Sequence, residues 1–173
     1  MKILTSCILL TFFSGCKNAN DFKSDFDKHK FDPIVINDLR LYDTLRQIIL
    51  SNYDSFYLSE TKKEFTYFYN FDTSTQISGY SNNDIPEIIY PTTAELFNRI
   101  GKENIFGFTI SRDSTFEILI RNTNLAKYFL DVRERLYWYP ETTNINKTAF
   151  PFKDTLLTEK WQYQIWYDKR AEF

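Results

Sequence analysis

The chain has almost no thiol or imidazole: its 173 residues hold two Cys, Cys7 and Cys16, and one His, His29. All three precede the region where apolar periodicity begins. That region therefore lacks the ligands of ordinary Cys/His zinc sites and the base that Cys–His and Ser–His–Asp catalysis require. Glycine is nearly as scarce. Of the four, Gly79, Gly101 and Gly107 stand isolated, so no Gly-rich phosphate loop exists. An Asp-x-Asp-x-Asp-Gly calcium loop is absent as well. Positive charge is not in surplus: 21 basic side chains face 23 acidic ones, a net charge of −2, which removes the basic footprint of nucleic-acid binding. Neither a metal nor a cofactor is expected. Long hydrophobic runs are also missing. The longest mostly apolar run, Ile3–Phe13, has eleven residues, against the roughly 20 helical residues that cross about 30 Å of hydrocarbon. What remains is rich in core material: 43% hydrophobic and 18% aromatic residues exceed what a disordered chain carries. The length suits one domain with or without an appendage.

The N-terminus explains the two cysteines. Met1-Lys2 is a short basic start, Ile3–Phe13 fits the apolar centre of a secretory signal, and Phe13-Ser14-Gly15-Cys16 ends it. Small residues before a cut and Cys directly after it resemble a bacterial lipobox, with Phe13 where Leu is usual. The resemblance covers residues 1–16 only. It implies cleavage by signal peptidase II, a diacylglyceryl group on Cys16 and an acylated new amine. The alternatives are an ordinary signal peptide with a chance Cys, or a buried N-terminal helix. On the lipoprotein reading, 1–15 is a signal peptide, 16–33 a lipidated Cys and tether, and 34–173 a single domain. Each buried CH₂ is worth about 0.8 kcal/mol, so one acyl chain holds weakly and two or three hold well. Lys17, rather than Asp, follows the Cys, which favours the outer membrane of a bacterial envelope; the face is left open. With both Cys accounted for, the domain must be stable through its core alone.

Periodicity then predicts the fold. Leu39, Tyr42, Leu45, Ile48 and Ile49 recur at helical spacing over 38–51. Residues 64–71 alternate, with Phe65, Tyr67, Tyr69 and Phe71 on one face, and a short strand is expected near 76–79. Pro91-Thr92-Thr93-Ala94-Glu95 opens a second helix with capping-box spacing, which Gly101 ends in a left-handed conformation. Phe106, Phe108 and Ile110, then Phe116, Ile118 and Ile120, predict a hairpin turning at Ser111–Ser114. Leu125, Tyr128, Phe129 and Val132 suggest a third helix, while Arg133–Tyr139 reads equally as a strand. Residues 140–151 read as loop, and 161–167 as a C-terminal strand. The order implies an α+β domain, an antiparallel sheet with two or three helices packed on one face.

Function is less legible. Asp113 with Glu117, and Asp131 with Glu134, are candidate carboxylate pairs of the glycosidase kind, which stand about 5–10 Å apart, but arginines nearby supply ordinary partners. Seven large rings crowd 137–139 and 161–167. In a strand, Trp161, Tyr163, Ile165 and Tyr167 face one way and Gln162, Gln164 and Trp166 the other. Trp138, Trp166 and Arg112 are the candidate ligand-binding residues, since an exposed Trp beside Gln or Arg suits a protein hot spot or sugar stacking. The Trp161, Tyr163, Ile165 and Tyr167 set reads as core, because aromatics fit a pleated half-buried surface, and for the exposed rings a second small core under the third helix is an equal alternative. Three Asp-Thr/Ser tripeptides, at Asp43, Asp113 and Asp154, are similar to a short bacterial O-glycosylation acceptor. Together these features predict a lipid-anchored binding module without catalytic residues, first for a protein partner such as an accessory subunit or an immunity-type inhibitor of a toxin. A glycan ligand comes second and a carboxylate hydrolase third.

Overall fold

Alternation of large apolar and smaller polar side chains builds a sheet. The structure, a computed structural model, describes residues 30–56, 63–72, 75–78, 85–125, 130–141 and 153–169. All but Lys30 belong to one compact unit, Phe31–Phe173. The expected signal sequence, Cys16 and most of the tether lie outside the described residues. The strands are β1 (Glu64–Asn70), β2 (Thr75–Ser78), β3 (Gly107–Ser111), β4 (Phe116–Leu125), β5 (Leu130–Trp138), β6 (Lys153–Leu156) and β7 (Trp161–Lys169). They form one antiparallel sheet in the order β2-β1-β3-β4-β5-β7-β6.

In β1, Phe65, Tyr67 and Tyr69 are buried between half-buried neighbours, as a period of two requires. Register carries this stripe sideways. Tyr67 pairs with Phe108, Phe108 with Ile118, Ile118 with Leu136 and Leu136 with Tyr163. Among the described residues, three α-helices accompany the sheet: α1 (Pro33–Asn37), α2 (Leu39–Ser51) and α3 (Tyr90–Ile100). Tyr42, Leu45 and Ile49 form the buried side of α2, and Leu96, Phe97 and Ile100 that of α3. The Phe97 ring meets Tyr67 at 5.9 Å and Tyr69 at 4.9 Å. From α2, Tyr42 donates to the Asn104 carbonyl at 2.9 Å, and Asp43 accepts the Trp161 indole N–H at 3.2 Å. Both long helices therefore cover the same face, and the chain is an α+β domain of the expected kind. Each fully buried Phe or Leu in this layer stabilises it by about 1.5–3 kcal/mol.

Local departures from expectation have local causes. The Thr92–Glu95 capping box is unused: α3 starts at Tyr90 with Ile89 as its cap and no side-chain cap bond. Pro91 lacks an N–H to satisfy and suits the first turn, so the helix begins ahead of it, and the Thr93 hydroxyl donates back to the Ile89 carbonyl at 2.8 Å. Gly101 has φ 86° and ψ 149°, an extended mirror-image conformation open essentially to glycine alone, not the left-handed helical one. Leu125 and Val132 belong to strands, since Leu125 pairs with Leu130 and Thr123 with Val132. Their helix-like spacing arises where one strand ends and the next begins; residues 126–129 lie outside the described residues. The edge strand β6 and helix α1 have no periodicity long enough to foresee. Among the described residues, no helix is long and apolar enough to cross a membrane.

Two positions shape the faces of the sheet. At Gly107, a Cβ would stand 2.3 Å from the Tyr67 carbonyl oxygen, so only glycine fits there. Phe68, its cross-strand partner, stacks on Phe106 with the rings 3° from parallel and 5.8 Å apart. In β4 the register with β5 shifts: Leu119 pairs with Arg135, but Arg121 pairs with Glu134. The extra residue turns Arg121 from the open face to the helix-covered one.

Candidate functional site

The three ligand-binding residues singled out by the sequence do not converge. Trp138 pairs with Trp161 on the helix-covered face, whereas Trp166 pairs with Arg133 on the opposite face. Arg112 is exposed in the β3–β4 turn, with its N–H on the Lys63 carbonyl at 2.9 Å and its own carbonyl accepting from the Tyr53 hydroxyl at 3.2 Å. Each aromatic instead heads a cluster of its own.

Trp138 lies in an open groove of about 550 Å³ between the start of α2 and the β6–β7 turn. Leu39, Arg40 and Asp43 form one wall, Thr158, Glu159 and Lys160 the other, and Trp161 the floor beside Trp138. Asp43 organises it. Its carboxylate accepts from Arg46 Nε at 2.9 Å, Gln47 Nε2 at 2.8 Å and Trp161 Nε1 at 3.2 Å. Burial pushes this carboxyl up, but the bonds from Arg46, Trp161 and Gln47 and the Arg46 charge outweigh it and hold it below its ordinary range. Arg46, so held, places its guanidinium carbon 4.3 Å from the centre of the Trp138 ring, and Lys160 Nζ lies 5.5 Å from it. Cation–π contacts of this kind are worth about 0.5–1 kcal/mol each at exposed sites.

On the open face, Arg135 bonds Glu117 through Nη1, and the Tyr137 hydroxyl donates to the same Glu117 oxygen at 3.3 Å. Burial raises the Glu117 carboxyl above its ordinary range despite the opposing charge of Arg135 and both hydrogen bonds. Desolvation likewise raises Tyr137, with the Glu117 charge adding to it. The guanidiniums of Arg135 and Arg133 stand 4.6 and 5.4 Å from the Trp166 ring centre. Gln162 and Gln164 are buried on this face; Gln162 donates to Asp154 at 2.7 Å and accepts from Gln164 at 2.9 Å.

A third cluster is structural. Arg121, turned inward by the bulge, donates to Asp32 at 2.5 Å and stands 3.0 Å from Glu134, whose other oxygen accepts from the Tyr163 hydroxyl. Burial raises Asp32, yet Arg121 and the Ile34 and Val35 amides bring it below its ordinary range. Two acids held on one arginine are arranged as an ion-pair network. Of the candidate pairs, Asp113 accepts the Thr115 amide at 3.0 Å in its turn while Glu117 binds Arg135. Glu134 faces the helices, and the Asp131 side chain is outside the described residues. Among the described residues, no group of three or more His, Cys, Asp or Glu could hold a metal ion.

The sequence marked Asp43 only in a glycosylation-like tripeptide and left Arg46 and Lys160 unnoticed. Their only signal was Asp43, Arg46 and Gln47 at spacings of three and four on a helix, which reads as surface pairing until Trp138 and Trp161 arrive from distant strands. The fold class is thus an antiparallel sheet with helices on one face. No family model matches the chain, and no curated protein or solved structure shows significant similarity to it.

Proposed function

We propose that the protein is a lipid-anchored component of a bacterial envelope, the outer membrane favoured, that binds a protein partner through the groove around Trp138. One observation carries the reading: an indole pinned by Arg46 and Lys160 in a wide groove rimmed by Arg40, Glu159 and Lys160. Protein hot spots have this composition, a central Trp with arginine and a polar rim. A sugar stacks best on a bare ring, and the cations beside Trp138 work against the glycan alternative. Lipidation of Cys16, non-catalytic action and the role as accessory subunit or immunity-type inhibitor rest on the sequence pattern. The test is in-cell photocrosslinking from position 160 of the anchored protein, followed by capture and mass spectrometry. One partner recovered at near-equal amount, and lost in Trp138→Ala, supports the proposal. A blank, together with glycan-array binding that Trp138→Ala abolishes, transfers the site to sugars.

A further inference from the structure

The sheet face turned away from the helices holds a second cavity, of about 240 Å³, lined by Phe68, Phe106, Leu119, Arg133 and Arg135 and, at the β4 bulge, by Arg121 and Glu134. Register explains its chemistry. Phe68, Gly107, Leu119 and Arg135 form one row across β1, β3, β4 and β5, which at ordinary strand spacing spans about 14 Å. The row begins with the stacked Phe68–Phe106 pair and ends at a guanidinium, so it is apolar at one end and cationic at the other. Arg135 is only partly committed. Its Nη1 serves Glu117 and the Tyr137 hydroxyl, while Nε and Nη2 make no hydrogen bond among the described residues. The Trp166 ring against its plane fixes the direction of that fork, and Arg133 brings a second guanidinium to the same indole. In the lining, arginines outnumber acids, Arg121, Arg133 and Arg135 against Glu134. The Trp166 indole N–H, buried without a hydrogen-bond partner, is a further donor on this face.

We infer that this cavity binds a small amphiphilic monoanion, a carboxylate on an apolar body, with the head on Arg135 and the body over Phe68, Phe106 and Leu119. A planar guanidinium matches a carboxylate through paired hydrogen bonds. The volume equals that of about eight liquid waters, room for a body of roughly eight carbons or one ring system. A neutral chain of equal length gains only the apolar contact, and a cationic one is repelled.

The test titrates the full chain with octanoate, octanol and octylammonium by calorimetry, and follows Trp166 fluorescence against a Trp166→Phe control. Octanoate is expected to bind saturably at one site, octanol at least about tenfold more weakly, since a charge-assisted hydrogen bond is lost, and octylammonium not at all. The double variant Arg135→Gln/Glu117→Gln removes the cation without leaving its partner charge buried, and should abolish the preference for octanoate over octanol. If that variant does not melt cooperatively, Arg133→Gln replaces it and should weaken octanoate but not octanol. Absence of saturable octanoate binding, equal affinity for octanoate and octanol, or a preference that survives the variant overturns the inference.

Discussion

Replacing Arg121 by Met tests whether the irregularity in β4 serves to put a cation between two acids. Met keeps the apolar stem of the arginine and removes the charge. Glu134, whose side chain is 6% exposed, then loses its 3.0 Å contact and keeps only the Tyr163 hydroxyl. Asp32, 19% exposed, loses its 2.5 Å bond but still caps α1 through the Ile34 amide. Removing one member of a buried pair costs about 3–5 kcal/mol. Because the Arg121 side chain is 33% exposed, water screens part of this, and a loss of about 2–3 kcal/mol is expected. In urea, with a slope of roughly 1.5–2 kcal/mol per molar, the unfolding midpoint should fall by about 1–2 M. Adding Glu134→Gln keeps an acceptor for Tyr163 and removes the orphaned charge, so the double variant should regain about 1 kcal/mol. The pH dependence has a definite sign. Asp32 lies below its ordinary 3.8, so its contribution is present above that pH and is lost as pH falls through the lowered value. The deficit of Arg121→Met should therefore shrink below about pH 3.8. A loss under about 1 kcal/mol, or a double variant less stable than the single one, refutes the reasoning.

Other outcomes follow from the same geometry. Gly107→Ala should cost about 3 kcal/mol or more and lower Tm by roughly 10 °C, because the new Cβ meets backbone that cannot rotate away; an unchanged melting curve counts against it. Glu117 titrates above its ordinary 4.5, so its contribution is fully present below that pH and declines as pH rises through the raised value. Glu117→Gln stability should consequently climb more steeply with pH than wild type as pH rises above 4.5, and parallel curves would contradict this. Cys16→Ala should abolish labelling by radioactive palmitate, whereas persistent labelling removes the anchor from the proposal.

Period two was the most legible property of the chain. Phe65, Tyr67 and Tyr69, the hairpin of Phe108 and Phe116, and the division of Trp161, Tyr163 and Ile165 from Gln162, Gln164 and Trp166 all follow from alternation, and all appear in the sheet. Alternation could not reveal the one-residue shift before Arg121, because the sequence Ile118–Arg121 looks equally regular in either register. The bland account of Trp161 and Tyr163 as core residues holds, with both buried. The clusters around Trp138 and Trp166 escaped notice because their members lie far apart in sequence: Asp43 and Trp161 are separated by 118 residues. Only the strand order shows that α2 and the β6–β7 turn meet at one end of the sheet.

The contacts of Phe31 and Asp32 also have a mechanical meaning. The Phe31 ring rests 4.9 Å from Tyr163 on β7, and Asp32 grips Arg121 on β4, which reaches Glu134 on β5. Tension arriving along the chain ahead of Phe31 is thus delivered to side chains of three adjacent strands before it reaches the five-residue helix α1. Load shared across neighbouring strands has to break an ionic clasp and peel an aromatic ring before it can unwind any backbone hydrogen bond. A pull from that end loads the clasp and the ring ahead of the sheet.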